Sequence, residues 1–200
     1  MDRFFNEGAE NWRQLQDLPN QAFNCGFCNR TVSSVKGYKL GVYNDATGAQ
    51  IGGVYICPHC GGPVFFDRRG QQYPSPAFRH PVQHVPPDLN ALYEEARRCT
   101  SQNAYTAAVL LCRKMLMNIA VQEKAQAGLS FVEYVEFLAT NGFVPPNGHP
   151  WVDHIRKKGN EATHEIALMN QNDAKDLVGF VEMLLRFIYE FPALIPRPNL

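Results

Sequence analysis

The sequence predicts an α+β protein, a β-rich module followed by a mainly α bundle, on three observations. Two Cys-x-x-Cys pairs, Cys25 with Cys28 and Cys57 with Cys60, are separated by 28 residues. Short runs rich in β-branched and aromatic residues lie between and just after them, at Tyr38 to Tyr43, Ile51 to Ile56 and Val64 to Phe66. From Asp88 onward the apolar residues recur instead at three- and four-residue steps, the period of a helix. These signals divide the chain into a module over 1–70, a proline-rich linker over 71–87 and a helical bundle over 88–200.

Residues 1–22 place Phe4, Phe5, Trp12, Leu15 and Leu18 at a spacing that permits a short helix ending before Pro19. Such a helix would serve as a lid of apolar side chains on the module that follows. In that module each Cys-x-x-Cys turn points two thiolates at one centre, and four thiolates satisfy tetrahedral zinc. Gly61 lets the second turn fold back so that backbone amides approach sulfur. A redox dithiol would instead place one pair at the opening of a helix. The spacing therefore implies one structural Zn2+ per chain, held by Cys25, Cys28, Cys57 and Cys60 in a zinc ribbon, with no coordination position left for catalysis. His59, between two of the ligands, is expected to be exposed rather than to be a ligand.

The linker contains five prolines between Gly70 and Pro87 and shows no regular period. Its His80 and His84 could join a metal site, but four thiolates already complete one. Beyond it, Asp88 is the expected N-cap of a first helix carrying Leu89, Leu92, Tyr93, Ala96 and Cys99. A second helix, from about Asn103 to Lys124, is apolar on so many sides that it should be the central one. Ser130-x-x-Glu133 reads as a capping box opening a third helix, which Asn141-Gly142 ends. Val144 to Pro150 reads as a loop, with Pro150 opening the next helix. A last helix from Asp173 to Phe191 carries Leu177, Phe180, Val181, Leu184, Leu185, Phe187 and Ile188 over a wide surface. That width suggests burial against a second chain, giving a homodimer, or against the zinc ribbon.

The polar run from His154 to His164 interrupts this apolar half. A helix continuing through it would set Arg156, Asn160 and His164 at i, i+4 and i+8, joining a forked cation, an amide and a base that titrates near neutrality. That set suits work on a phosphate. It equally suits a solvated helix face, and Gly159 is able to end the helix between its members. Arg113 on the second helix either faces this set or forms a buried ion pair.

Arg156-x-x-Gly159-Asn160-x-x-x-His164, with Arg113-Lys114-x-Leu116 before it and an amphipathic helix after it, resembles the bacterial family called domain of unknown function 4145, over roughly 87–192. That family is grouped with the HEPN superfamily of small helical bundles. The resemblance implies a HEPN-like bundle in a bacterial cytoplasmic protein, linked to phage defence and to a defence-system protein partner. Its catalytic reading is a metal-independent endoribonuclease with His164 as general acid or base, Arg156 on the phosphate and Asn160 orienting them. Its non-catalytic reading is a module that binds RNA, another nucleic acid or a protein. Seven residues separate Arg156 from His164 here, a wider interval than in active ribonucleases of that superfamily.

Composition narrows the partners. Charge is balanced, 19 basic against 19 acidic side chains, so a tight sequence-independent duplex binder is not expected. The first residues lack the build of a secretory signal and no apolar run spans a bilayer, which together predict a soluble cytoplasmic protein without a membrane partner.

Overall fold

Pairing of the strand runs builds one antiparallel sheet in the order β1-β2-β3-β4-β5, with strands Gln16–Asn24, Thr31–Gly41, Gln50–Ile56, Pro63–Phe66 and Gln72–Tyr73. The computed structural model describes residues 11–41, 50–144, 151–156 and 168–195. The chain divides into two units, Met1–Pro76 and Ala77–Leu200. An α+β protein, strands first and helices after, is what the change of period predicted.

Within the first unit, each strand after β1 pairs with the one before it. β2 meets β3 from Gly37↔Tyr55 to Gly41↔Gln50, and β3 meets β4 from Gly53↔Phe66 to Ile56↔Pro63. The side chains on the inner face, Leu18, Phe23, Tyr55, Val64 and Phe66, pack with Cys25, Cys57 and Cys60 into one small core. Phe66 meets Phe23 and Tyr55 edge to face, at centroid distances of 5.6 Å and 5.7 Å.

The helix expected to end before Pro19 is not formed among the described residues, because residues 16–24 are the edge strand β1. Leu15 and Leu18 fit a helical period, but pairing with β2 places Leu18 and Phe23 in the core, and non-local burial outweighs a weak local preference. Pro19 is tolerated because the register shifts between Asp17 and Gln21, on an edge strand, where a missing N–H is no loss. Trp12 nevertheless behaves as part of a lid. Its indole Nε1 donates to the Gly61 carbonyl at 2.7 Å, and its ring meets Tyr38 edge to face.

The proline-rich stretch is shared between the units. Gln72 and Tyr73 pair with β4, while residues 77–86 run along the first helix and bury Val82 in the helical core.

In the second unit α1 spans Pro87–Ser101, α2 Tyr105–Gln122 and α3 Phe131–Thr140, and residues 151–156 form α4. The chain continues through α5, Gln171–Leu185, a π-helical turn, Arg186–Glu190, and α6, Phe191–Leu194. α2 is the central helix, packed against α1, α3 and α5, with Cys112, Met115, Leu116 and Ile119 fully buried. Its neighbours are capped as their sequences require. Ser130 and Glu133 close the capping box of α3, and Asn170 with Asp173 close a second one on α5, each cap being worth about 1 kcal/mol.

Two helix starts differ from expectation. α1 begins at Pro87 with Pro86 as N-cap, since a proline at the first position is preset for the helix, and Asp88 becomes the acid of the first turn. α5 begins after Asn170, and Asp173, the expected start, is its third residue. The apolar width of α5 is used within the chain: Leu177, Val178, Phe180, Val181, Leu184 and Leu185 all lie in the helical core. What remains exposed is Phe187, Phe191, Leu194 and Ile195 at its far end. No described helix is long and apolar enough to cross a membrane.

Candidate functional site

The two cysteine turns have one backbone design. In the first, the Cys25 amide donates to the Arg30 carbonyl and Asn29 N–H to the Cys25 carbonyl; in the second, Cys57 N–H reaches Gly62 and Gly61 N–H reaches Cys57. The residue after each second cysteine is left-handed, Asn29 at φ 55° and Gly61 at φ 73°. Glycine and asparagine enter that region at low cost, and the reversal turns the following amides back toward sulfur. Gly62 N–H accordingly donates to Cys60 Sγ at 3.4 Å.

The four Sγ atoms lie within 4.8 Å of one another. Cys25 Sγ is 3.8 Å from Cys60 Sγ, and Cys28 Sγ is 3.9 Å from Cys57 Sγ. These separations are far beyond a disulfide bond. They match the edge of a tetrahedron of sulfurs at the usual Zn–S distance, about 3.8 Å.

The electrostatics point the same way. Burial pushes the Cys25 thiol well up and the Cys60 thiol to about 11, so neither ionises readily without a cation. At Cys57 burial also raises the thiol, but backbone N–H groups of Cys60 and His59 outweigh it and hold it below its ordinary value. Such a cluster, crowded, desolvated and ringed by amide donors, fits a divalent soft-ligand metal. His59 is half-buried and is not part of the ligand cluster. His80 lies in the helical unit with Nδ1 3.9 Å from Glu182 Oε1.

Of the three residues proposed for phosphate chemistry, Arg156 is described, and Asn160 and His164 lie outside the described residues. Arg156 Nη1 is 2.9 Å from Glu136 Oε2 on α3 and 3.2 Å from Asp153 Oδ1 on its own helix. Two carboxylates therefore share its charge. On the same helix His154 Nε2 is 3.0 Å from Asp176 Oδ2 of α5. α4 is anchored below these contacts by the buried Val152 and Ile155, and by Trp151 edge to face with Phe180 at 5.1 Å.

The roles anticipated for Arg113 involve Asn160 and His164, which lie outside the described residues, or a carboxylate partner. The Arg113 guanidinium lies 4.2 Å from the centroid of the Phe131 ring, and among the described residues no carboxylate pairs with it. The side chain is 8% exposed, its Nη1 has no hydrogen-bond partner, and burial pulls its pKa below the ordinary value. Among the described residues it is the aromatic face of Phe131 that receives the charge.

The best-built polar centre of the helical unit had no forecast in the sequence. Arg97 is 0% exposed, grips both oxygens of Glu94 at 2.6 Å and 2.7 Å, and donates Nε to the Phe78 carbonyl and Nη2 to that of Arg79. Tyr93 adds a hydrogen bond from its hydroxyl to the His80 carbonyl at 2.9 Å. These bonds strap residues 78–80 to α1. The only available sign was the pairing Glu94-x-x-Arg97, which resembles any surface ion pair.

A family model described as Domain of unknown function (DUF4145) matches residues 94–197, a span that contains Arg156, Asn160 and His164 and none of the four clustered cysteines. No curated protein and no solved structure matches the chain.

Proposed function

Because the chain belongs to the DUF4145 family, we propose that it joins a structural zinc module of the ribbon type to a HEPN-like bundle and works as a binding module for a nucleic acid or a protein. The observation that carries the first half is the cluster of Cys25, Cys28, Cys57 and Cys60 within 4.8 Å, in which burial raises the Cys25 and Cys60 thiols. Bound there, zinc supplies cross-linking of the two turns. With four sulfurs it keeps no open position for substrate, so it takes no part in chemistry.

The non-catalytic reading of the bundle rests on Arg156. A cation that is to stabilise a transition state must be available to the transferring phosphate, and Glu136 and Asp153 both compete for this one. Purified protein is expected to leave single-stranded RNA intact, and Arg156→Ala and His164→Ala to make no difference in that assay. Cleavage that resists chelation and is lost in both variants, with their melting temperatures unchanged, would instead make the protein the defence ribonuclease implied by its sequence resemblance.

The same proposal includes a homodimer. Leu194 and Ile195 are 67% and 68% exposed at the end of α6, an apolar tip that a second copy would cover. Light scattering coupled to gel filtration at micromolar concentration should give twice the chain mass, and a clean monomer refutes the dimer.

A further inference from the structure

The face of the sheet turned away from the cysteine core carries an apolar strip that crosses four strands in register. Tyr38 pairs with Val54, Val54 with Phe65 and Phe65 with Tyr73, and Leu40 lies two residues on from Tyr38 on the same face. We propose that this strip docks an extended peptide segment of a partner protein, a short apolar run flanked on both sides by acidic residues. The inference rests on the binding-module reading above and names a protein as what the sheet unit binds.

The strip exists because these strands are apolar on both faces. Tyr55, Val64 and Phe66 fill the core, so alternation sends Val54 and Phe65 to the other side. An antiparallel strand with one face on a core is ordinarily polar on the other. Here Tyr73 is 50% and Leu40 41% exposed, with Tyr38, Val54 and Phe65 half-buried between them. Trp12, edge to face with Tyr38, extends the strip at that end. A connected apolar strip left open to this extent marks a protein contact.

Charge selects the partner. Arg13 is set beside the strip by the Tyr38 hydroxyl, which donates to the Arg13 carbonyl at 2.6 Å. Arg68 and Arg69 stand in the turn between β4 and β5, within a few residues of Phe65 and Tyr73. All three arginines are exposed. The unit's carboxylates among the described residues are already engaged, Asp17 by Lys36 at 2.6 Å and Asp67 by the N–H groups of Arg69 and Gln71 at 2.8 Å each. Arginines near both ends of one strip repel a second copy of the same face and attract an acidic segment.

Geometry favours a peptide over a nucleic-acid strand. Bases need successive open ring faces on which to stack. Phe65 and Tyr73 instead turn a face to one another, at 6.1 Å and an interplanar angle of 28°, and Leu40 and Val54 between them and Tyr38 are aliphatic. Apolar side chains of a peptide pack on aliphatic and aromatic carbon alike. From Tyr38 to Tyr73 is three strand spacings, about 14 Å, a distance that about four or five extended residues span.

Fluorescence anisotropy with the full chain tests this, the probe being a labelled peptide with a run of Leu and Phe between two pairs of Glu. It is expected to bind with Kd tighter than about 100 μM, and the same peptide with Lys in place of Glu at least about tenfold more weakly. Leu40→Ser and Tyr73→Ser, both at exposed side chains, should each weaken the Glu peptide by about tenfold while circular dichroism stays unchanged. Arg13→Glu, Arg68→Glu and Arg69→Glu combined should reverse the preference in favour of the Lys peptide, a change that damage to the fold would not produce. Absence of binding at about 1 mM, or wild-type affinity in both Leu40→Ser and Tyr73→Ser, overturns the proposal. So does a single-stranded oligonucleotide that binds more tightly than the Glu peptide and is weakened by the same two variants, a result that gives the face to nucleic acid and leaves the binding-module reading standing. Cleavage of RNA by the bundle would overturn that reading and leave the peptide result as it is.

Discussion

Cys57→Ser protein should be isolated without its metal and with the sheet unit unfolded, whereas the wild type should carry one zinc per chain by elemental analysis. Among the described residues Leu18, Phe23, Tyr55, Val64 and Phe66, with Phe27 and Val32 half-buried against them, make up the sheet core beyond its cysteines. A core of that size does not hold a module of this length by itself. Structural zinc contributes on the order of 10 kcal/mol or more of folding free energy in small metal modules, so its loss should leave the strands without a stable arrangement. A strong chelator should reproduce the effect in the wild type, and added zinc should reverse it. Unchanged zinc content together with an unchanged sheet transition in Cys57→Ser would remove the metal from the account of this fold.

The second large effect is expected at Arg97. Arg97→Met removes a fully buried guanidinium and leaves the Glu94 carboxylate, itself 7% exposed, with no cation, together with two backbone carbonyls that lose their donors. Breaking one side of a buried pair costs about 3–5 kcal/mol, most of it the stranded charge. The melting transition of the helical unit should fall by on the order of 10–20 °C. Adding Glu94→Gln to Arg97→Met should recover part of the loss, because the uncompensated charge is gone while the strap bonds remain broken. A fall of only a degree or two in Arg97→Met would mean that Val82, Tyr93 and the Phe78 N–H bond to the Arg97 carbonyl suffice to hold residues 78–80.

The legible parts of the molecule were those encoded by local chemistry. Cys25, Cys28, Cys57 and Cys60 announce a four-sulfur cluster because a Cys-x-x-Cys turn can aim its thiols in few directions, and the structure brings all four together. Ser130 and Glu133 mark the start of α3 for the same reason, a cap being a contact between near neighbours. The helical half was evident from its period, and α2 from its breadth. Illegible were the features made by distant partners. β1 looked helical until β2 lay beside it. The capping role of Asn170 depended on which of several polar residues the packing of α5 would leave outside.

The composition and spacing of this chain by themselves determined an α+β order, a cysteine cluster suited to zinc and a central apolar helix, since each follows from contacts within a few residues or from a repeated period. Only the tertiary structure decided what the arginines do. Arg113 lies on an aromatic ring, Arg97 is buried with Glu94, Arg156 is shared by Glu136 and Asp153, and Arg79 is set across Gly179. The physical reason is the reach of a guanidinium: its long stem and five donors accept many partners, and which of them is near depends on how helices far apart in sequence come to pack.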